Sequence, residues 1–178
     1  MTSPERSQIV IDSPLGAMRL AATPLGLCGL WFVEEQKYAP AELGAPHRET
    51  PVLAQARAQL DAYWARRRSR FELPLDLQGT PFQLAVWQAL LQIGSGSTAT
   101  YSEIARQLGQ PTASRAVGHA VGRNPVSIIV PCHRVLGRDG SLTGYAGGLR
   151  RKTALLRLEG VQLPSDTADL FTPQRQAA

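Results

Sequence analysis

The sequence predicts a mixed α/β chain in two parts, a small antiparallel sheet with one helix followed by a mainly helical domain. Three observations carry that prediction. Apolar runs of strand length, separated by Pro and Gly turn signals, fill residues 8–33. Two capping boxes, Thr80 with Gln83 and Thr100 with Glu103, open helices. The second of these helices is joined to a third by a brief turn at Gln110-Pro111, the layout of a helix-turn-helix. A chain of 178 residues with 43% hydrophobic content can bury a core of the required size.

Each element has a local reason. Ile9-Val10-Ile11, Met18 to Ala22 and Leu27 to Val33 read as strands, with Ser13-Pro14-Leu15-Gly16 and Thr23-Pro24-Leu25-Gly26 as the turns of a meander. Residues 38–50, holding Pro40, Gly44 and Pro46, read as loop. Pro51 opens a helix with Leu53, Ala56, Leu60 and Trp64 on one face; Arg66-Arg67-Arg68 closes it, where the helix carboxyl end favours cations. Residues 73–77 read as a short strand or linker. Pro81, at the first helical position, starts the helix of Phe82, Val86, Trp87, Leu90 and Leu91. The next helix runs from Tyr101 to Leu108 and ends at Gly109; a third spans Ala113 to about Gly122; a strand is expected over 126–130; a last helix covers 149–158 and starts with the basic turn Arg150-Arg151-Lys152. The expected boundaries are 1–78, 79–163 and a flexible tail over 164–178.

The net charge of +5 favours a polyanionic partner. The amino terminus lacks the apolar core of a signal peptide and no run is long enough to span a bilayer, so a cytoplasmic protein with no membrane partner is expected. Cys28 and Cys132 are the two cysteines, and no Cys/His group has zinc-ligand spacing. Cys28 sits in the apolar run Leu27 to Phe32 and reads as inert. Cys132 is different. Ile128-Ile129-Val130-Pro131-Cys132-His133-Arg134-Val135 delivers a thiol behind a Pro-fixed backbone and beside a histidine. A thiol becomes a nucleophile by losing its proton, which needs a base or a positive field nearby. A disulfide between the two cysteines would consume that nucleophile, so a reducing compartment is required. Adjacent side chains on extended backbone diverge, so a water between His133 and Cys132 is expected rather than direct contact. The helix over 113–122 carries small residues, Ala113, Ser114, Ala116, Gly118, Ala120 and Gly122, around one long cation, Arg115. Such a face offers few base-reading groups and suits docking without sequence preference.

Six motifs stand in order: Thr100-Tyr101-Ser102-Glu103-Ile104-Ala105, Ser114-Arg115-Ala116-Val117-Gly118, Arg123-Asn124-Pro125-Val126, Pro131-Cys132-His133-Arg134-Val135, Gly144-Tyr145-Ala146-Gly147-Gly148-Leu149, and Leu155-Leu156 through Leu158-Glu159-Gly160. Together they make residues 100–160 resemble the O6-alkylguanine-DNA alkyltransferases, the methylated-DNA:protein-cysteine methyltransferases. The resemblance extends weakly to Gly79-Thr80-Pro81-Phe82 and Val86-Trp87. It implies a ribonuclease H-like amino-terminal scaffold and a winged-helix-like DNA-binding domain. It implies direct-reversal repair of double-stranded DNA containing O6-alkylguanine, and also O4-alkylthymine, with no cofactor and no metal. One chain is expected to act as a monomer, or cooperatively along DNA.

The resemblance also implies residue roles. Cys132 receives the alkyl group once the base has flipped out, through a relay from Glu159 to His133 to a water. Tyr101 assists rotation of the nucleotide and protonates the leaving guanine, Arg115 fills the gap in the duplex, and Ser102, Ala116, Gly118 and Arg138 contact DNA. Val135, Tyr145, Ala146 and Gly147 line the alkyl and guanine pocket, with the Ala146 backbone donor facing the guanine oxygen and the carbonyls of Cys132 and Val135 reading its amine. Asn124 and Pro131 give structural support. Two positions depart from the pattern: Ala146 stands where many members have serine, and Ser127 where some have proline, a change expected to widen the pocket or weaken packing on aromatic alkyl groups. A thioether is not opened by thiol exchange, so each molecule would act once. Three rivals remain: a lesion-binding protein without chemistry, whose type carries tryptophan in place of the cysteine; a helix-turn-helix regulator; and a cysteine hydrolase, which needs an oxyanion site.

Overall fold

A computed structural model of the chain describes residues 5–163; the tail expected over 164–178 lies outside the described residues. Strands β1 (Ser7–Ile11), β2 (Met18–Thr23) and β3 (Gly26–Phe32) form an antiparallel sheet in the order β1-β2-β3. The register puts Leu20 opposite Ile9 on one side and Leu30 on the other. Helix α1 (Pro51–Trp64) packs on this sheet with Leu53, Ala56, Leu60 and Tyr63 buried. The expected face named Trp64; the buried aromatic is Tyr63, and Trp64 is only half-buried. The residues after α1 do more than neutralise its end. Arg67 N–H bonds the Ala62 carbonyl at 2.8 Å and Arg66 N–H the Tyr63 carbonyl at 2.9 Å, with Arg66 at φ 55° where glycine usually stands.

Both capping boxes form, each threonine hydroxyl accepting from the backbone three residues on and each Gln or Glu side chain returning to the cap N–H. They open α2 (Pro81–Leu91) and α3 (Tyr101–Gln107); α4 (Ser114–Gly122) follows after a turn in which Gly109 takes φ 71°. The buried Trp87 donates its indole N–H to the Ala120 carbonyl at 2.9 Å, locking α2 to α4. A two-residue strand β4 (Ala99–Thr100) pairs in parallel with β5 (Val135–Leu136), and α5 (Leu149–Leu158) closes the fold. The stretch over 73–77 pairs with the sheet at the bridge of Leu75 to Leu27, and Thr23 of β2 donates its hydroxyl to Asp76 Oδ2 at 2.6 Å.

The strand expected over 126–130 does not form. Only Val126 bridges, to Leu30 of β3, and the segment then turns sharply, with Ile128 at φ 70°. Its backbone groups are satisfied elsewhere: Val126 N–H by the Asn124 side chain, Ser127 N–H by the Leu30 carbonyl, and Val130 N–H by the Val126 carbonyl. The Leu30 N–H also bonds the Pro125 carbonyl at 2.9 Å, so the sheet edge and this turn form one unit. One continuous buried cluster runs from Met18 and Leu30 through Leu60 and Trp87 to Val130 and Leu155.

Candidate active site

Cys132 sits in a 3-10 turn, Cys132–Arg134, whose Arg134 N–H bonds the Pro131 carbonyl at 3.0 Å. The backbone here is not extended, so the divergence of neighbouring side chains expected from a strand does not apply. What fixes the sulfur is Asn124. Its Nδ2 donates to the Val130 carbonyl at 2.7 Å and to Cys132 Sγ at 3.0 Å, while its Oδ1 accepts from Val126 N–H at 2.9 Å. One side chain thus braces the turn and touches the thiol. Burial raises the Cys132 thiol above its ordinary range, opposed by the Asn124 hydrogen bond and by the Lys152 charge. The sulfur rests as a thiol and needs a base.

Lys152 belongs to the basic turn at the start of α5, yet it is fully buried. Its Nζ donates to the Val135 carbonyl at 2.5 Å, the Thr143 carbonyl at 2.8 Å and the Gly144 carbonyl at 3.4 Å. Burial lowers its pKa to about 8. These bonds staple the loop over 143–147 to β5 and place a cation near the sulfur.

Glu159 is the C-cap of α5, where an acid is unfavourable unless something compensates. Gly160 takes φ 81° and Val161 N–H returns to the Leu156 carbonyl, a helix stop that turns the Glu159 side chain inward until it is 1% exposed. Oε1 accepts from His133 Nε2 at 2.9 Å, Tyr63 OH at 2.7 Å and Arg134 Nη2 at 2.8 Å; Oε2 accepts from Arg134 Nε at 2.8 Å. Arg134 Nη1 is anchored on the Ile93 carbonyl. Burial alone would raise the Glu159 pKa, but the bonds from His133 and Arg134 outweigh it and hold the carboxyl at about 2. His133 is fully buried, and that burial lowers its pKa despite the opposing pull of Glu159, so the ring is neutral. Since Glu159 is ionised, Nε2 carries the ring proton and Nδ1 the lone pair. Among the described residues Nδ1 has no hydrogen-bond partner.

These shifts set an acid sensitivity. Both folded-state values lie below the ordinary ones, so the unfolded chain takes up protons first and stability falls with pH. The His133 contribution starts to go below about 6.5, and that of Glu159 goes between 4.5 and about 2. The Glu159 part is on the order of 3 kcal/mol. Denaturant unfolding across this range is expected to show Glu159→Gln losing less stability with acid than the wild type. Parallel curves would mean the carboxylate is not held as described.

The remaining expected residues cluster around this core. Tyr101, the first residue of α3, lies half-buried against Gly118 and donates its hydroxyl to the Thr143 carbonyl at 3.2 Å; burial raises its pKa, so it rests as a phenol. The small face of α4 is split between two tasks. Ala120 is buried in the core, Gly118 lies beside the Tyr101 ring, and Arg115 and Ala116 are exposed. Arg115 has no ion-pair partner among the described residues. Half-buried Ser102 and exposed Arg138 share a cleft with Arg106 beside Thr100.

Gly147 must be glycine, because a Cβ there would stand 2.7 Å from the Tyr145 ring and 3.1 Å from Phe32. The Ala146 carbonyl accepts from Lys37 N–H at 2.9 Å, while its own N–H has no acceptor among the described residues. The carbonyls of Cys132 and Val135 accept from Val135 N–H and Lys152 Nζ, respectively, and a carbonyl has a second lone pair to offer. Ser127 is buried, and its hydroxyl accepts from Gln36 Nε2 at 2.9 Å. Sequence reasoning passed over Tyr63, Arg134 and Lys152. The Arg134 contact had a signal, a cation beside the histidine in a buried motif; the other two had none that is local.

The arrangement defines a class: a protein that holds a buried thiol, a neutral imidazole and an ionised carboxylate in one frame behind a helix-turn-helix. Residues 81–161 match the family described as "6-O-methylguanine DNA methyltransferase, DNA binding domain", and residues 8–77 its "ribonuclease-like domain". The chain belongs to the 6-O-methylguanine DNA methyltransferase family. It is similar to the methylated-DNA–protein-cysteine methyltransferase of Mycobacterium leprae, with 51% identity over 86% of this chain and 92% of that one. To the constitutive enzyme of Bacillus subtilis the identity is 42%, over 84% and 93%. The crystal structure of Mycobacterium tuberculosis OGT in complex with DNA superposes with a TM-score of 0.80 at 46% identity, covering 90% of this chain and 97% of that chain.

Proposed function

We propose that the protein repairs DNA by direct reversal, moving the alkyl group of O6-alkylguanine in double-stranded DNA onto Cys132 in a single irreversible event. The observation that carries this reading is the frame just described, a Cys132 sulfur held by Asn124 on the same turn as a His133 fixed to Glu159. O4-alkylthymine is a further substrate of the same chemistry.

The base extruded from the duplex enters beside the loop over 143–147, and Arg115 fills the gap it leaves. The Cys132 proton passes through a water to His133 Nδ1, and Glu159 stabilises the imidazolium. The thiolate, held by Asn124 Nδ2 and the Lys152 charge, attacks the alkyl carbon in line. A carbon–sulfur bond forms and the carbon–oxygen bond breaks, leaving its electron pair on the guanine. Tyr101, whose hydroxyl rests on the Thr143 carbonyl, supplies the proton that neutralises the departing base. The Ala146 N–H is placed for the guanine oxygen. No step restores the thiol.

Among the described residues no helix is long and apolar enough to cross a membrane. We place the protein in the reducing cytoplasm, since both cysteines are free and the chemistry needs one of them as a thiol. The presence of Cys132 speaks against the lesion-binding rival, and the exposed Arg115-Ala116 face of α4 offers a base-specific regulator few reading groups. The test is a titration with excess O6-methylguanine duplex. Product is expected to stop at one methyl removed per protein molecule, and continued turnover would sink the single-event mechanism.

A further inference from the structure

The amino-terminal segment delivers one polar atom into the relay. Tyr63, the second-last residue of α1, is 2% exposed, and its hydroxyl lies 2.7 Å from Glu159 Oε1. A buried phenol needs an acceptor, and any carbonyl near the end of α1 could have served. The acceptor is instead the oxygen that accepts the hydrogen bond of His133 Nε2. The ring is clamped by Trp64 at 5.2 Å and Phe71 at 5.4 Å between centroids, so the hydroxyl has little freedom to turn elsewhere.

We propose that Tyr63 is a positioning residue for alkyl transfer: its hydroxyl locks the Glu159 carboxylate in the rotation that meets His133 and takes up part of the carboxylate's charge. The proposal rests on the relay from Glu159 through His133 described above. A donor on a carboxylate stabilises the anion and weakens its pull on a neighbouring cation. The groups that face this carboxylate are His133 and Arg134 from the 3-10 turn and Tyr63 from α1, with the Tyr145 hydroxyl close enough to feel its charge and Arg66, Arg67 and Arg68 lining the cleft beside them. Lys152 and Arg134 oppose charge on His133 from the other sides. Removing the Tyr63 hydroxyl therefore leaves a more concentrated negative charge against the imidazole. His133 then keeps a proton to higher pH and is unavailable as a base there.

Tyr63→Phe removes one oxygen and keeps the ring in place. Rates of transfer from a free O6-alkylguanine base, measured against pH for the wild type, Tyr63→Phe, Glu159→Gln and the double variant, carry the test. Tyr63→Phe is expected to move the acid limb of the profile upward by roughly half to one pH unit. Glu159→Gln is expected to slow transfer by at least about tenfold, and Tyr63→Phe to add nothing in that background. If Glu159→Gln is impaired while Tyr63→Phe keeps the wild-type limb, the relay stands and the positioning role is overturned, even where the unfolding midpoint drops. If Glu159→Gln itself keeps the wild-type rate and profile, the relay is overturned.

Discussion

Replacing Cys132 with serine is expected to abolish alkyl transfer while DNA binding is kept. A serine hydroxyl is a far weaker nucleophile at neutral pH, and the His133–Glu159 pair that can take a thiol proton is poorly matched to an alcohol; the rate should fall below about a thousandth of wild type. The substitution keeps a polar atom for Asn124 Nδ2, which now reaches Sγ at 3.0 Å, so the turn should survive. DNA contacts are assigned to residues such as Arg115, Ala116 and Arg138, which are exposed while the sulfur is buried. Binding to duplex by Cys132→Ser is therefore expected within a small factor of wild type. A serine variant that removes methyl at the wild-type rate would remove Cys132 from its role.

Arg115→Ala is expected to slow repair of O6-methylguanine in duplex DNA by roughly ten- to a hundredfold, because the few kcal/mol needed to unstack and unpair the base lose the compensation of a filled gap. The same variant should react normally with a free alkylated guanine base, which never leaves a stack. Glu159→Ala should be impaired on both substrates, since it acts through His133 on the thiolate. Four rates thus separate extrusion of the base from transfer. Equal losses for Arg115→Ala on duplex and free base would withdraw the gap-filling role and place the arginine in the active site or in folding.

Local signals were legible in proportion to how local their physics is. The meander follows from turn residues next to apolar runs, and the boxes at Thr80 and Thr100 form because cap and partner lie three residues apart. The run over 126–130 has strand composition, but its partners are Asn124 and Leu30, and a run buried on every side looks the same whether it extends or turns. Lys152 directly follows two arginines in the sequence, and nothing local separates it from them. Only the convergence of the Val135, Thr143 and Gly144 carbonyls makes it a buried staple. Cys132, His133 and Glu159 were legible through their motifs, and the structure brings them into one frame. Tyr63 was not, because it meets Glu159 across 96 residues and differs from the half-buried Trp64 by one step on the helix.

The central claim is that the methyl group ends on one sulfur. In the titration with excess duplex, carrying an isotopically labelled O6-methyl group, mass analysis of the digested protein gives the most direct answer. The label is expected once per chain, as a thioether on the peptide that contains Cys132, with the peptide of Cys28 unlabelled and no methyl released to solvent. Label on Cys28, label distributed over several residues, or methyl appearing in solution while the protein stays unmodified would contradict the account.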